Sequence, residues 1–420
     1  MLKPNRIIFW TCLLYVCIPL VIQANNLTEN CQPITQTERG TLVSQTFIKT
    51  ILAQNINSLF PEKNQHKGDI SQLPKYDIDL YNIIYTSIHA GELVQLSGLI
   101  IVPKKEGMLP HLQYHHGTML PYPYGHGEGS LDAPSLYDGN APKTVEAQYE
   151  TRLFGNYLGS YGYLMSFPDY SGYAVSEQLE HPYSVNTMLA EQSVDMILAT
   201  RAFCHANNII LNNQLFLAGW SEGGAACVAT QKLIEAEYGD QITVTANAPL
   251  AGFYYTLPLV KQFLNFTPLL FKDYGEDLDV LIWTSYTINK YSTDPIPTNK
   301  LFKYPVNNQL DVLKNRPTSR PRKLYKWLGR KSKKQILSQF SAQCLHDNWT
   351  PIAPIFVHHG TKDDIVYYDK NVEVMVNNLN QRNGKITLRK YEGHNHYSLA
   401  FLYLLSMVED FDALPSINNK

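Results

Sequence analysis

The pentapeptide Gly219-Trp220-Ser221-Glu222-Gly223 stands between an apolar run, Leu215 to Ala218, and a helix-forming stretch that opens with Gly224-Ala225-Ala226. Few chain geometries tolerate that pattern. A serine on a tight strand-to-helix turn holds strained backbone, and side chains at the flanking positions would collide with the neighbouring strand and helix, so glycine is needed there. The turn pushes the Ser221 hydroxyl outward. One strand, one helix and close neighbours on both sides are therefore built into this stretch.

The rest of the chain supplies such a setting. Tyr76 to Ile88 and Leu93 to Val102 alternate apolar and polar residues and are closed by Pro103, which predicts two paired antiparallel strands. His111 to His116 predicts a short strand, followed by a loop of Pro, Gly and Tyr through Asn140 that is long enough to suggest a functional role. Helices near Thr144 to Tyr161, Thr187 to Asn207 and Glu222 to Tyr238 then alternate with strands Tyr163 to Phe167, Gln214 to Ala218 and Ile242 to Ala246. That rhythm predicts an α/β fold, a mostly parallel sheet with helices on both faces. It breaks after Ala246 and resumes with strand Ile352 to Val357, helix Asp369 to Asn380, strand Ile386 to Tyr391 and helix Ser398 to Met407. Residues 253–345 read as an inserted, mainly helical cap on a main domain of 76–252 and 346–412, with 25–75 as a polar, poorly patterned N-terminal extension.

With 420 residues, 44% hydrophobic and 17% charged, the chain can bury a sizeable core. Its 35 Lys and Arg against 37 Asp and Glu give no electrostatic ground for a nucleic-acid partner. Lys3 and Arg6 precede an apolar run from Ile7 to Ile22, shorter than the ~20 residues of a membrane span, and Ala24 offers a cleavage point. Residues 1–24 thus read as a secretory signal that sends the protein to the periplasm or outside, with an uncleaved anchor as the alternative. Cys31, Cys204, Cys227 and Cys344 would remain, either paired in one of three ways or as buried thiols. No C-x-x-C pair points to a metal. Within the cap, Lys314 to Lys334 holds ten basic residues and no acidic one, which reads first as a solvated face and second as a contact for anionic lipid surfaces. The aromatic segment Phe253 to Phe271 would line an acyl pocket or pack cap helices.

A serine hydroxyl is a weak nucleophile at neutral pH, so Ser221 needs an imidazole to take its proton and a carboxylate to orient that imidazole. Asp363 follows the strand Ile352 to Val357 and is the chosen acid, with its neighbour Asp364 as the alternative. His394 and His396 both fall after the last strand, just before the final helix, where the base belongs. An oxyanion hole would draw on the backbone N–H groups of Glu222 and of Thr118. His115 and His116 read as one buried imidazole and one contact residue, not as a metal pair.

These residues resemble the α/β-hydrolase superfamily. The likeness runs from about Tyr76 to Met407, and Phe167-Pro168-Asp169-Tyr170-Ser171-Gly172, His181-Pro182-Tyr183, His359-Gly360-x-x-Asp363 and Tyr391-x-Gly393-x-x-His396 resemble its secretory lipase and esterase-like branch. The resemblance places the base at His396 and implies a secreted serine hydrolase acting on small-molecule or lipid carboxylic esters through an acyl-enzyme, with no metal or organic cofactor. Glu222 departs from the family, where Gln or Met is commoner. The same triad also serves peptidases and acyltransferases, although the prolyl-peptidase branch usually adds an N-terminal propeller that the residues before Tyr76 cannot form. A non-catalytic binding module on this scaffold would be expected to lack a triad member.

Overall fold

The computed structural model describes residues 38–60, 70–121, 129–141, 148–264, 276–302, 305–314 and 330–415. The signal segment 1–24, most of the basic run Lys314 to Lys334 and the end of the Phe253 to Phe271 segment lie outside them.

Nine strands form one sheet: β1 (Leu42–Ile51), β2 (Ile78–His89), β3 (Glu92–Pro103), β4 (Leu109–His115), β5 (Leu164–Pro168), β6 (Leu211–Trp220), β7 (Ala246–Leu250), β8 (Ile355–Gly360) and β9 (Ile386–Tyr391), in the order β1-β2-β3-β5-β4-β6-β7-β8-β9. Pairings are antiparallel from β1 to β5 and parallel from β5 to β9. Both faces are covered, which is why the central strands are apolar throughout rather than alternating. On β6, Phe216 and Ala218 pack with Tyr403 and Phe411 of α10 (Ala400–Asp412), while Leu215 and Leu217 pack with residues of α2 (Asn186–Ala206) and α3 (Glu222–Leu233). A short helix, α1 (Asn156–Tyr161), shares the face of α10, and α9 (Glu373–Gln381) shares that of α3. Each buried Leu or Phe on these faces contributes ~1.5–3 kcal/mol.

Between β7 and β8 the described backbone is helical: α4 (Leu257–Leu264), α5 (Glu276–Lys290), α6 (Thr298–Leu301), α7 (Gln309–Lys314) and α8 (Arg330–Ala342). Ile282, Tyr286, Leu301, Phe302 and Phe340 of this insert form a core that also takes in Val185 and Met188 at the start of α2. Among the described residues no helix is long and apolar enough to cross a membrane.

Three expectations need correction. The segment 25–75 does not stand apart, because it supplies β1. That strand escaped notice because it is an edge strand with little burial, Phe47 being 53% exposed, so its sequence carries no alternation. The strand expected at Ile242 to Ala246 begins at Ala246 instead, since Ile242 and Val244 are buried in a loop while Thr245 N–H caps β6 through the Leu215 carbonyl. Phe253 and Tyr254 are buried in the main core with residues of α3 and β8 rather than among the cap helices, and Phe253 also lines a small pocket with Ile365 and Val366.

Candidate active site

Ser221 has φ 57° and ψ −115°, a strained combination that β6 and α3 impose by meeting with no spare residue between them. Its N–H donates to the Leu250 carbonyl of β7 at 2.9 Å. The flanking glycines are dictated by contact. A Cβ on Gly223 would lie 1.9 Å from the His115 carbonyl oxygen, and one on Gly219 would lie 2.4 Å from that of Gly223. Tyr403 of α10 braces the turn from below, accepting the Gly219 N–H at 3.3 Å and donating to the Ala248 carbonyl at 2.5 Å. Ser221 itself makes no side-chain cap hydrogen bond at the start of α3.

Asp363 and His396 meet. His396 Nδ1–H donates to Asp363 Oδ2 at 2.8 Å, and both residues are buried. Asp363 Oδ1 accepts the backbone N–H groups of Ile365 and Val366 at 3.0 and 2.8 Å, which fixes the carboxylate against the loop after β8. Asp364 is exposed and His394 turns to Ser398 Oγ at 3.2 Å, so neither joins the pair. The tight turn after β9 uses Gly393 at φ 81°, and Asn395 Oδ1 then accepts from Tyr397 and Ser398, which aims His396 inward. Its ring lies 5.8 Å, centroid to centroid, from Trp220 beside the serine.

Sequence reasoning missed His359, which lies on the other side of Asp363, with Nε2 3.5 Å from Oδ2 and donating to the Val366 carbonyl at 2.8 Å. Burial lowers its pKa, so it is a neutral prop for the loop. The His-x-x-x-Asp spacing was the available signal. His115 and His116 are both buried and bonded, Nδ1 of each reaching a carbonyl, that of Ala218 at 3.0 Å and that of Gly117 at 2.7 Å. His116 also lines the cavity beside the elbow.

The end of β4 comes up against the elbow. Gly117 N–H is already taken by the Glu150 carboxylate, at 3.0 and 3.1 Å, so it is Thr118 whose backbone follows next along the cavity wall. Thr118 Oγ1 pairs with Tyr183 OH at 2.8 Å. Glu222, on the far side of Ser221, leaves its backbone N–H in the first turn of α3, where no intrahelical acceptor exists. Its side chain explains the departure from Gln or Met: Oε1 accepts His181 Nε2–H at 2.9 Å inside the protein, tying the His181-Pro182-Tyr183 segment to the elbow. Tyr183 in turn stacks on Trp283 of α5 at 4.2 Å. A cavity of about 520 Å³ opens beside these residues, bounded by Thr118, Glu150, Trp220 and Tyr397.

Glu150 was not foreseen, because nothing in its local sequence marks it. Burial pushes its carboxyl up to about 7, against hydrogen bonds from Tyr114 and Gly117 that favour the anion, with Glu222 and Asp132 adding to the rise. The unfolded chain ionises this group near 4.5. The neutral form therefore stabilises the fold fully below about pH 4.5, and that contribution is lost as pH rises to about 7. Thermal melting of the wild type should show this decline across pH 4.5 to 7, and Glu150→Gln should flatten it. Parallel pH profiles for the two would remove this role from Glu150.

Sheet order, elbow and loop positions together define the α/β-hydrolase fold. Solved structures that share it include a Legionella pneumophila protein described only as a hydrolase (20% identity, TM-score 0.69, 90% of this chain and 100% of that one), the rice cell wall degrading esterase LipA from Xanthomonas oryzae (19%, 0.67, 90% and 98%) and Candida antarctica lipase A (14%, 0.62, 91% and 84%). No protein-family model and no curated protein matches the sequence.

Proposed function

We propose that this chain is a serine hydrolase of carboxylic esters in which Ser221 attacks the ester carbonyl, His396 takes the serine proton, and Asp363 holds the imidazole in the tautomer that leaves Nε2 free to accept it. The observation that carries the reading is the buried 2.8 Å bond from His396 Nδ1–H to Asp363 Oδ2, set beside a serine held at positive φ. In the first step the Ser221 Oγ–carbonyl bond forms and the proton passes to Nε2. The tetrahedral intermediate collapses as that proton goes to the departing alcohol. Water then enters, gives its proton to His396 and releases the acid. The negative oxygen is met by the backbone N–H groups of Glu222 and Thr118, two fixed donors that need no reorganisation. The two neighbours described as an esterase and a lipase support the ester class, and the leader-like segment 1–24 supports a secreted or periplasmic enzyme.

Initial rates on p-nitrophenyl esters from acetyl to palmitoyl test the assignment. His396→Ala should cost about 10³-fold or more in kcat, while His394→Ala should stay within about twofold, as expected of a surface change. Asp363→Ala should fall with His396→Ala, and Asp364→Ala with His394→Ala. Equal losses at His394 and His396 would remove His396 from its role. The chain-length optimum divides esterase from lipase, and a folded protein silent on every ester would shift the reading to peptidase or acyltransferase.

A further inference from the structure

Well away from the serine in sequence, where α8 hands the chain back to β8, Cys344, His346 and Asp347 bring a sulfur, a nitrogen and a carboxylate oxygen within 4.8 Å of one another. Cys344 and His346 are 6% and 4% exposed, while the Asp347 side chain is 50% exposed and faces the way out. Neither nitrogen of this buried imidazole has an ordinary hydrogen bond. Each lies 3.5 Å from Cys344 Sγ, a weak partner, and Nε2 is 3.7 Å from Asp347 Oδ1, beyond hydrogen-bond reach. A polar ring buried on those terms costs stability unless something else completes its bonding.

A zinc ion fits the spacing. With Zn–S of about 2.3 Å, Zn–N and Zn–O of about 2.0–2.2 Å and tetrahedral angles, the sulfur and nitrogen stand roughly 3.5 Å apart and the nitrogen and oxygen roughly 3.4 Å. The corresponding separations here are 3.5 and 3.7 Å, and the sulfur and carboxylate oxygen, within 4.8 Å of each other, would draw in to about 3.6 Å on binding. The loop that carries the three is already held: Lys232 Nζ donates to the Asp347 carbonyl at 2.7 Å, Arg382 to the His346 carbonyl at 2.5 Å, and Trp349 Nε1–H to Glu235 at 2.9 Å. The two cations oppose a metal electrostatically, but they are engaged with loop carbonyls, and a thiolate with a carboxylate brings two negative charges to the ion. Soft sulfur with imidazole and one carboxylate selects zinc over magnesium or calcium.

We propose that Cys344, His346 and Asp347 form a zinc site that fastens the cap's return to the sheet, with water in the fourth position and the Cys344 proton released to solvent on binding. The C-x-H-D stretch carries no C-x-x-C pair, the spacing by which a zinc site is usually legible in a sequence. This site is independent of the ester-hydrolase reading.

The test uses the full chain, stripped with a chelator and titrated with Zn²⁺ against a chromophoric competitor, and separately with Co²⁺. One ion per chain is expected, with Co²⁺ giving a thiolate-to-metal charge-transfer absorption and Zn²⁺ raising Tm, as any ligand of the native state alone must. Cys344→Ser should abolish the absorption. Asp347→Asn, at a half-exposed side chain, should weaken zinc at least tenfold, while Ser221→Ala should bind as the wild type does. Absence of stoichiometric binding overturns the proposal, and so does one ion per chain that Cys344→Ser and Asp347→Asn both retain.

Discussion

Ser221→Ala is expected to lower kcat for ester hydrolysis by roughly 10⁴- to 10⁶-fold, the largest effect of any single substitution in this chain. The residual rate would come from the oxyanion donors and from substrate binding, neither of which the change removes. Stability should hardly move. Alanine and serine pay the same strain at φ 57°, and the Ser221 hydroxyl makes no cap bond that alanine would forfeit. Unchanged thermal melting beside lost turnover separates chemistry from folding. If Ser221→Ala kept more than about a tenth of the wild-type kcat, an activated hydroxyl would not be the nucleophile.

The second large effect concerns folding. Gly223→Ala would place a methyl group 1.9 Å from the His115 carbonyl oxygen, 2.5 Å from its carbon and 2.6 Å from the His116 carbonyl oxygen. All three are backbone atoms of β4 and its continuation, so no side chain can swing aside. Relief would require α3 to move off the sheet and break the contacts of Ala225, Ala226 and Val228, or β4 to lose its register with β6. A cost above about 4 kcal/mol is expected, enough to exhaust much of the stability of an ordinary domain. Soluble yield and Tm are the readouts. Gly239→Ala is the matched control, because a Cβ there meets nothing closer than 3.8 Å. If Gly223→Ala melted like Gly239→Ala, the elbow would not be as tightly packed as described.

What the sequence disclosed, and what it hid, follows from where the information sits. The elbow was legible because its constraint is local: strand, turn and helix are consecutive, and the glycines answer to backbone contacts within a few residues and one neighbouring strand. Asp363 and His396 were legible as loop residues after late strands, but spacing alone did not separate Asp363 from Asp364, and choosing His396 over His394 depended on a family resemblance. The physical discriminator is burial, and neighbours in a loop share everything in sequence except which way they face. Glu150, His359 and the Glu222 to His181 bond were not legible in this way, since each depends on partners brought together only by the sheet. Strand β1 was missed for the opposite reason. An exposed edge strand has little burial pattern to read, although its β-branched and aromatic residues Val43, Phe47, Ile48 and Ile51 could have marked it.

The role proposed for Ser221 is that of an activated nucleophile. A fluorophosphonate probe reacts covalently with such a serine and leaves a fixed mass on the peptide that contains it. One adduct per chain is expected, located on Ser221, strongly slowed in His396→Ala and unchanged in His394→Ala. A folded wild-type chain that takes up no label, or takes it up on a residue other than Ser221, would contradict it.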